Sequence, residues 1–253
     1  SSTDTDEIIH KMNNQVFLDL YEVPLESNAT IGKSGVKIRG NVNSNYHESN
    51  AVYTKDGNTM YFNCFDREGE TGSDICVTQR EGDGWSEPTI VWEVSTQDYL
   101  EVEPLLSPDA QQLYIMSNRP GGMGGQDFYV SDWVDGKWTE PRNLGAPFNS
   151  PDMDHCIYFA GDDWEFAYWT STRPGGFGGN DIWMAEKING IWQAAQNLGP
   201  NVNTSASEHH SLPSALAQLP FQNWGCSKQL LPLMFSFDVN YDNRNAIISI
   251  YRL

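Results

Sequence analysis

A tryptophan that returns every 53 or 54 residues, as Trp85, Trp138 and Trp192, constrains this chain more than any other feature. Asp74-Ile75, Asp127-Phe128 and Asp181-Ile182 recur at the same two intervals. Asn43-Ser44, Asn149-Ser150 and Asn203-Thr204 carry the phase outward, with Thr96 standing where the second asparagine is expected. A fixed period of this length marks a chain built from one repeated supersecondary unit. Within a period, runs of strand composition alternate with turn residues. In the second copy the spacing predicts strands over residues 103–106, 112–117, 128–132 and 137–143. Between them lie Ser107-Pro108-Asp109, the glycine-rich Arg119-Pro120-Gly121-Gly122-Met123-Gly124-Gly125, and Asp135-Gly136. The third copy repeats this with Arg173-Pro174-Gly175-Gly176-Phe177-Gly178-Gly179 and Asn189-Gly190. Four short strands per unit at this scale predict an all-β fold, a β-propeller of four-stranded blades.

Regular blades are expected at about 41–93, 94–147 and 148–201, after an N-terminal extension over residues 1–16. Residues 17–23 read as a third strand and 36–40 as a fourth, so the chain begins inside a blade. After Ser214 the repeat's turn and Arg-Pro-Gly-Gly loop do not return, although residues 235–239 and 246–251 keep strand composition. The expectation is one propeller domain over 17–253 with five blades, four being the alternative. The last blade, over 202–253, is irregular, and the N-terminal strands help to close the ring.

Charge restricts the partners. The 253 residues include 34 acidic and 15 basic side chains, a formal net charge of −19. Such a surface repels the phosphate backbone, so no nucleic acid is expected as a partner. No run approaches the roughly 18 apolar residues of a membrane span. No P-loop, dinucleotide fingerprint or Gly-x-Ser-x-Gly occurs, which disfavours a nucleotide cofactor or a serine nucleophile. Cys64, Cys76, Cys156 and Cys226 form no C-x-x-C pair; Cys64 and Cys76 could face each other across a hairpin, but two packed thiols are the favoured expectation.

Several segments carry a resemblance. Tyr46-His47-Glu48-Ser49 precedes Tyr53-Thr54-Lys55-Asp56-Gly57; the stretch from Leu113 to Gly122 reads Leu-Tyr-Ile-Met-Ser-Asn-Arg-Pro-Gly-Gly; and the stretch from Asn197 to Thr204 reads Asn-Leu-Gly-Pro-Asn-Val-Asn-Thr. Over about residues 17–213 the chain resembles the WD40-like repeats of TolB-type periplasmic propellers, especially those joined to peptidoglycan-associated modules of the Bacteroidetes outer membrane. The resemblance implies a propeller, a periplasmic or secreted location in a Gram-negative envelope, and a role as a binding platform for a small molecule, a glycan or an envelope protein. A monomer is expected.

In a propeller the glycine-rich loops and the links between blades share one face, and the short turns lie on the other. The repeat places an acid beside the axial mouth in every copy: Glu48, Glu101, Asp154 and Glu208, at intervals of 53, 53 and 54. Four of the five histidines, His47, His155, His209 and His210, lie within two residues of these acids. Carboxylates gathered at one opening require compensation. A divalent cation, Ca, Zn or Mn, held by Glu48, Glu101, Asp154, Glu208, His47 and His210 is one expectation. The other is that each acid accepts backbone N–H bonds within its own link.

Two functions follow. One is ligand binding on the loop-rich face, with Arg67, Arg119, Arg173 and Glu103 as contacts. The other is a metal-dependent hydrolase of phosphoesters, phosphotriesters, esters or lactones, with His155 or His209 as the general base. Arg67, Arg119 and Arg173 also recur with Asp74, Asp127 and Asp181 at the two ends of the glycine-rich loop, where an Arg–Asp brace is the favoured expectation. The recurring tryptophans are expected to pack between blades.

Overall fold

The computed structural model describes residues 18–24, 35–65, 72–161, 163–208, 237–239 and 245–251. All regular elements among them are strands. Strands β1 (Leu18–Pro24) and β2 (Val36–Lys37) precede the first regular blade. That blade contains β3 (Glu48–Tyr53), β4 (Thr59–Phe65), β5 (Ser73–Glu81), β6 (Gly84–Trp85) and β7 (Thr89–Ile90). The second contains β8 (Glu101–Leu106), β9 (Gln112–Ser117), β10 (Asp127–Val134), β11 (Lys137–Trp138) and β12 (Arg142–Asn143). The third contains β13 (Asp154–Ala160), β14 (Phe166–Ser171), β15 (Asp181–Ile188), β16 (Ile191–Trp192) and β17 (Gln196–Asn197), and the last strands are β18 (Phe237–Val239) and β19 (Asn245–Tyr251).

Each regular blade is an antiparallel meander whose outer strand comes in two pieces, both paired to the blade's third strand. The sequence predicts one continuous outer strand over 137–143; instead it breaks at Thr139-Glu140-Pro141. Pro141 has no N–H to give the ladder, and the polar side chains bridge the gap. Asp132 N donates to Thr139 Oγ1 at 3.0 Å, and the Ser131 hydroxyl donates to the Thr139 carbonyl.

The first and last strands of the chain share one sheet, in the order β18-β19-β1-β2. β1 and β19 pair from Leu18↔Tyr251 to Pro24↔Asn245. The described residues therefore make four sheets, with the two ends joined in the same one. The segment where a separate last blade would find its remaining strands, 209–236, lies outside the described residues. The closing sheet packs on β3 of the first blade. Pairing the chain's ends leaves fewer open edges than a free strand would.

Apolar side chains fill the spaces between neighbouring sheets. Leu20 and Ile38 pack with Met60, Phe62 and Trp85; Ile75 and Val94 pack with Leu113 and Trp138; Phe128 and Phe148 pack with Trp169. Trp138 Nε1 also donates to the Tyr61 hydroxyl of the preceding blade at 3.2 Å, so the recurring tryptophans pack between blades. The expectation of two separate thiols is corrected: Cys64 and Cys76, both fully buried, are joined by a disulfide between β4 and β5. They occupy diagonal rather than directly paired positions, since Cys64 pairs with Asp74 and Cys76 with Phe62. Hairpin spacing offers that proximity as the less favoured alternative, and the disulfide bears it out.

Candidate functional site

The four recurrent acids stand at the starts of strands β3, β8 and β13 and at the equivalent Glu208. Glu48, Glu101 and Asp154 are fully buried and Glu208 nearly so. Each is bonded by the hydroxyl residue at the end of its own link. Ser150 offers Asp154 its amide at 2.7 Å and its hydroxyl at 2.9 Å; Thr204 offers Glu208 the same pair at 3.0 and 2.5 Å. Thr96 N reaches Glu101 at 2.9 Å, and Ser44 N reaches Glu48 at 3.1 Å.

The arginines at the head of the glycine-rich loops complete these clamps. Arg119 Nη2 lies 3.0 Å from Glu101 Oε1 and also donates to the Val94 carbonyl. Arg173 Nη2 lies 2.7 Å from Asp154 Oδ1, while its guanidinium binds the Pro147 and Phe148 carbonyls. Fixed amides, hydroxyls and a guanidinium offset a buried carboxylate as a cation would.

The expected Arg–Asp brace is therefore corrected: arginine pairs with the axial acid, and aspartate caps the loop. Asp127 Oδ2 accepts from Met123 N at 2.6 Å and Gly124 N at 3.1 Å, and Asp181 accepts from Phe177 N at 2.5 Å and Gly178 N at 3.2 Å. Burial pushes the Asp127 carboxyl up, the two amides oppose that, and the nearby Asp154 charge adds to it.

The third and fourth glycines of each loop meet the next link. Gly125 N bonds the Asp152 carbonyl and Gly179 N the Ala206 carbonyl. A Cβ on Gly124 would stand 2.0 Å from the Asp152 carbonyl oxygen, and one on Gly178 would stand 2.1 Å from that of Ala206. Close backbone approach, rather than positive φ, requires glycine there.

Asparagines finish the module. Asn149 accepts from Phe128 N and donates to Phe128 O at 2.8 and 2.9 Å, and Asn203 does the same to Ile182 at 2.8 and 3.0 Å. In the first link this role falls to Ser95, whose Oγ accepts from Ile75 N at 2.9 Å. Thr96, placed by sequence at the asparagine position, instead clamps Glu101.

The remaining predicted residues separate. His47 is buried and its Nδ1 accepts from Leu18 N at 3.0 Å; His155 is half-buried beside Asp154. Arg67, His209 and His210 lie outside the described residues. Among the described residues no three carboxylate, imidazole or thiol groups gather so as to hold an ion. Glu208 Oε2 has no hydrogen-bond partner among the described residues, and no arginine follows Glu208 at the interval that supplies Arg119 and Arg173.

Two residues past Glu48, Glu101 and Asp154 lies a backbone feature that the sequence did not reveal, and it corrects the expectation of Glu103 as a ligand contact, since that carboxyl is bonded to the next blade. All three inner strands slip register there, and Asn50, Glu103 and Cys156 take φ of 49, 57 and 53°. A bulge re-aims the residue that forms it. Glu103 N donates to Asn63 Oδ1 of the preceding blade at 3.0 Å. Its carboxyl accepts from Cys156 N at 2.7 Å and lies 3.3 Å from the Cys156 thiol of the following blade. Three blades are thus tied together through the bulges. Burial pushes the Glu103 carboxyl up, and the two bonds from Cys156 hold it partly down. The common 53-residue interval was visible in sequence, but the three different side chains concealed it.

No family model matches the sequence, and no curated protein does. Solved structures that share its architecture include TolB from Acinetobacter baumannii, at 13% identity and TM-score 0.42, covering 88% of this chain and 46% of that one. Another is the β-propeller domain of Cps50 (Swd1) from Myceliophthora thermophila, at 9% and 0.36, covering 80% and 50%. A third is the α-L-arabinofuranosidase from Lactobacillus brevis, at 11% and 0.44, covering 96% and 88%. This chain spans about half the length of the TolB chain it matches. TolB-type and WD40-type propellers are thus among its structural neighbours, and the likeness is one of fold.

Proposed function

We propose that this chain is a secreted or periplasmic β-propeller that binds an envelope ligand, a protein or a glycan, on its loop-rich face. The observation that carries the proposal is the clamping of the glycine-rich loops. Each is capped by its aspartate, anchored at its head by an arginine and seated on the next link. Such loops display their tips without an ordering cost on binding. Those tips carry Met123, 46% exposed, and Phe177, 50% exposed, and Met153 of the intervening link is 48% exposed. The buried disulfide fits an oxidising compartment.

The metal-dependent hydrolase alternative needs the rim carboxylates as ligands, and most of their oxygens already accept from protein donors. Glu208, with His209 and His210, is the place where an ion is still proposed. The discriminating experiment measures retention of detergent-solubilised envelope material on the immobilised protein, with and without chelator, beside turnover of chromogenic esters and phosphoesters. Retention that survives chelation and is lost in a Met123→Asp/Phe177→Asp variant of unchanged thermal midpoint supports the platform. Turnover that chelation abolishes and one metal restores replaces it with the enzyme.

A further inference from the structure

The opposite face holds a cleft where the repeat is broken twice. Its volume is about 580 Å³, and it lies between the second and third blades, with Asp109, Gln112, Asp132, Trp133, Asp163 and Trp164 on its walls. Equivalent positions in the other blades show what is unusual.

The first turn of each blade closes with the same backbone bond, from Gly57 N to Thr54 O, from Ala110 N to Ser107 O, and from Trp164 N to Gly161 O. The residue that donates has φ of 69, 54 and 55° respectively. Glycine alone suits that left-handed position; Ala110 is strained there, and a residue as bulky as tryptophan is the larger outlier of the two. Strain of this kind persists where something other than stability favours it.

The neighbouring acid is altered as well. In the first two blades a hydroxyl holds it, Thr54 Oγ1 on Asp56 at 2.7 Å and Ser107 Oγ on Asp109 at 2.5 Å. In the third blade Gly161 replaces the hydroxyl residue, and the Asp163 carboxylate has no hydrogen-bond donor among the described residues.

The second break is on the hairpin between third and outer strands. The residue paired with the recurring tryptophan is Arg80 opposite Trp85, Trp133 opposite Trp138 and Lys187 opposite Trp192. In the first and third blades a cation lies over the indole, Arg80 at 4.3 Å and Lys187 Nζ at 4.7 Å from the ring centroid. In the second blade the cation is replaced by Trp133, which is 38% exposed and meets Trp138 edge-on.

Both departures line the same cleft. Trp164 is half-buried, stacked on Phe159 with centroids 4.4 Å and planes 6° apart and tilted against Tyr114 at 5.7 Å, and its remaining surface lines the cleft. Polar groups stand between the two tryptophans in a fixed arrangement. Tyr114 Oη donates to Gln112 Oε1 at 2.7 Å, and Gln112 Nε2 donates to Asp132 Oδ1 at 2.8 Å. Indole faces match the C–H faces of a pyranose ring, and carboxylate acceptors beside them match its hydroxyl pairs. The net charge of −19, with Asp109, Asp132 and Asp163 outnumbering Lys187 on the walls, disfavours anionic sugars.

We propose that this cleft is a carbohydrate-binding site for neutral or amino sugars, with Trp133 and Trp164 as its platforms and Asp132 and Asp163 as acceptors for ring hydroxyls. It is separate from the loop-rich face and does not depend on the function proposed for that face.

The test uses the whole chain and four soluble probes, cellotetraose, chitotetraose, maltotetraose and mannotetraose, titrated by tryptophan fluorescence and calorimetry, with tetragalacturonate as the anionic control. At least one neutral or amino probe should bind with Kd below about 1 mM, and tetragalacturonate should not bind. Trp133→Ala and Asp163→Asn should each weaken that binding at least about tenfold. Both residues are solvent-accessible, so the thermal midpoint should move by no more than about 3 °C. Trp164→Gly, which restores the first blade's residue at the strained position, should abolish binding. Failure of all four probes at about 5 mM, or binding that survives Trp133→Ala and Trp164→Gly, overturns the proposal.

Discussion

The two faces of the propeller use polar and aromatic residues in opposite ways. On the loop-rich face the same residues return in successive blades, and where the structure describes them they hold the architecture together. Glu101–Arg119 and Asp154–Arg173 are the same clamp built twice, and Asp127 and Asp181 are the same cap. On the opposite face the informative residues are those that fail to repeat, Trp133 for Arg80 and Lys187, and Trp164 for Gly57 and Ala110. Recurrence is what a fold needs, because every junction between blades poses the same packing problem. A ligand meets one place, so its chemistry appears as a departure from the period.

The strongest way to break this comparison is to remove a clamp. Arg173 is 11% exposed and its partner Asp154 fully buried. Arg173→Ala leaves that carboxylate without its guanidinium and the Pro147 and Phe148 carbonyls without a donor. A loss of about 3–5 kcal/mol in urea unfolding is expected, the cost of orphaning a buried charge. If the arginine were instead reserved for ligand, stability would scarcely change. Gly124→Ala comes next. Its Cβ would press on the Asp152 carbonyl at 2.0 Å, so the loop must lift off the next link, at about 1–3 kcal/mol. The same change at Gly136, where a Cβ meets nothing within 4 Å but φ is +81°, should cost about 1 kcal/mol through backbone strain alone. Equal effects at the two positions would mean that the loop does not clasp its neighbour.

How much of this was legible in the sequence follows from the same contrast. The period gave the blades, and the acids stand at the starts of the inner strands because Glu48, Glu101, Asp154 and Glu208 keep one phase. The link amides were legible as their partners, as the alternative to a cation; the link hydroxyls were not, because Ser150 and Thr204 read by composition as ordinary link residues. Proximity of like charges suggested a cation; residues of the links compensate all four acids, and the loop-head arginines add to this at Glu101 and Asp154. Thr96 was misassigned because the first link is one residue longer between clamp and acid, Thr96 to Glu101 against Ser150 to Asp154. That insertion passes the asparagine's role to Ser95. The bulge residues Asn50, Glu103 and Cys156 share an interval but no chemistry, so nothing in their identities announced a common backbone conformation.

Glu103 offers the finest test, because it belongs to both categories: a recurrent bulge position filled by a non-recurrent side chain. Burial raises its carboxyl above the usual glutamate range in the folded protein, so the folded state holds that proton more tightly than the unfolded chain. The stabilisation is fully present below the unfolded value and is lost as pH rises through the folded one. Glu103→Gln keeps an acceptor for the Cys156 amide and removes the titration. The variant should therefore gain stability relative to the parent as pH is raised from about 4 towards 8, the smallest of the four effects. Asp127 shifts in the same direction, so the parent's own pH profile would not isolate Glu103, whereas the difference between parent and variant does. A difference that stays flat across that range would mean that the Glu103 carboxyl is solvated rather than enclosed. The belt would then rest on the single bond from Glu103 N to Asn63 Oδ1.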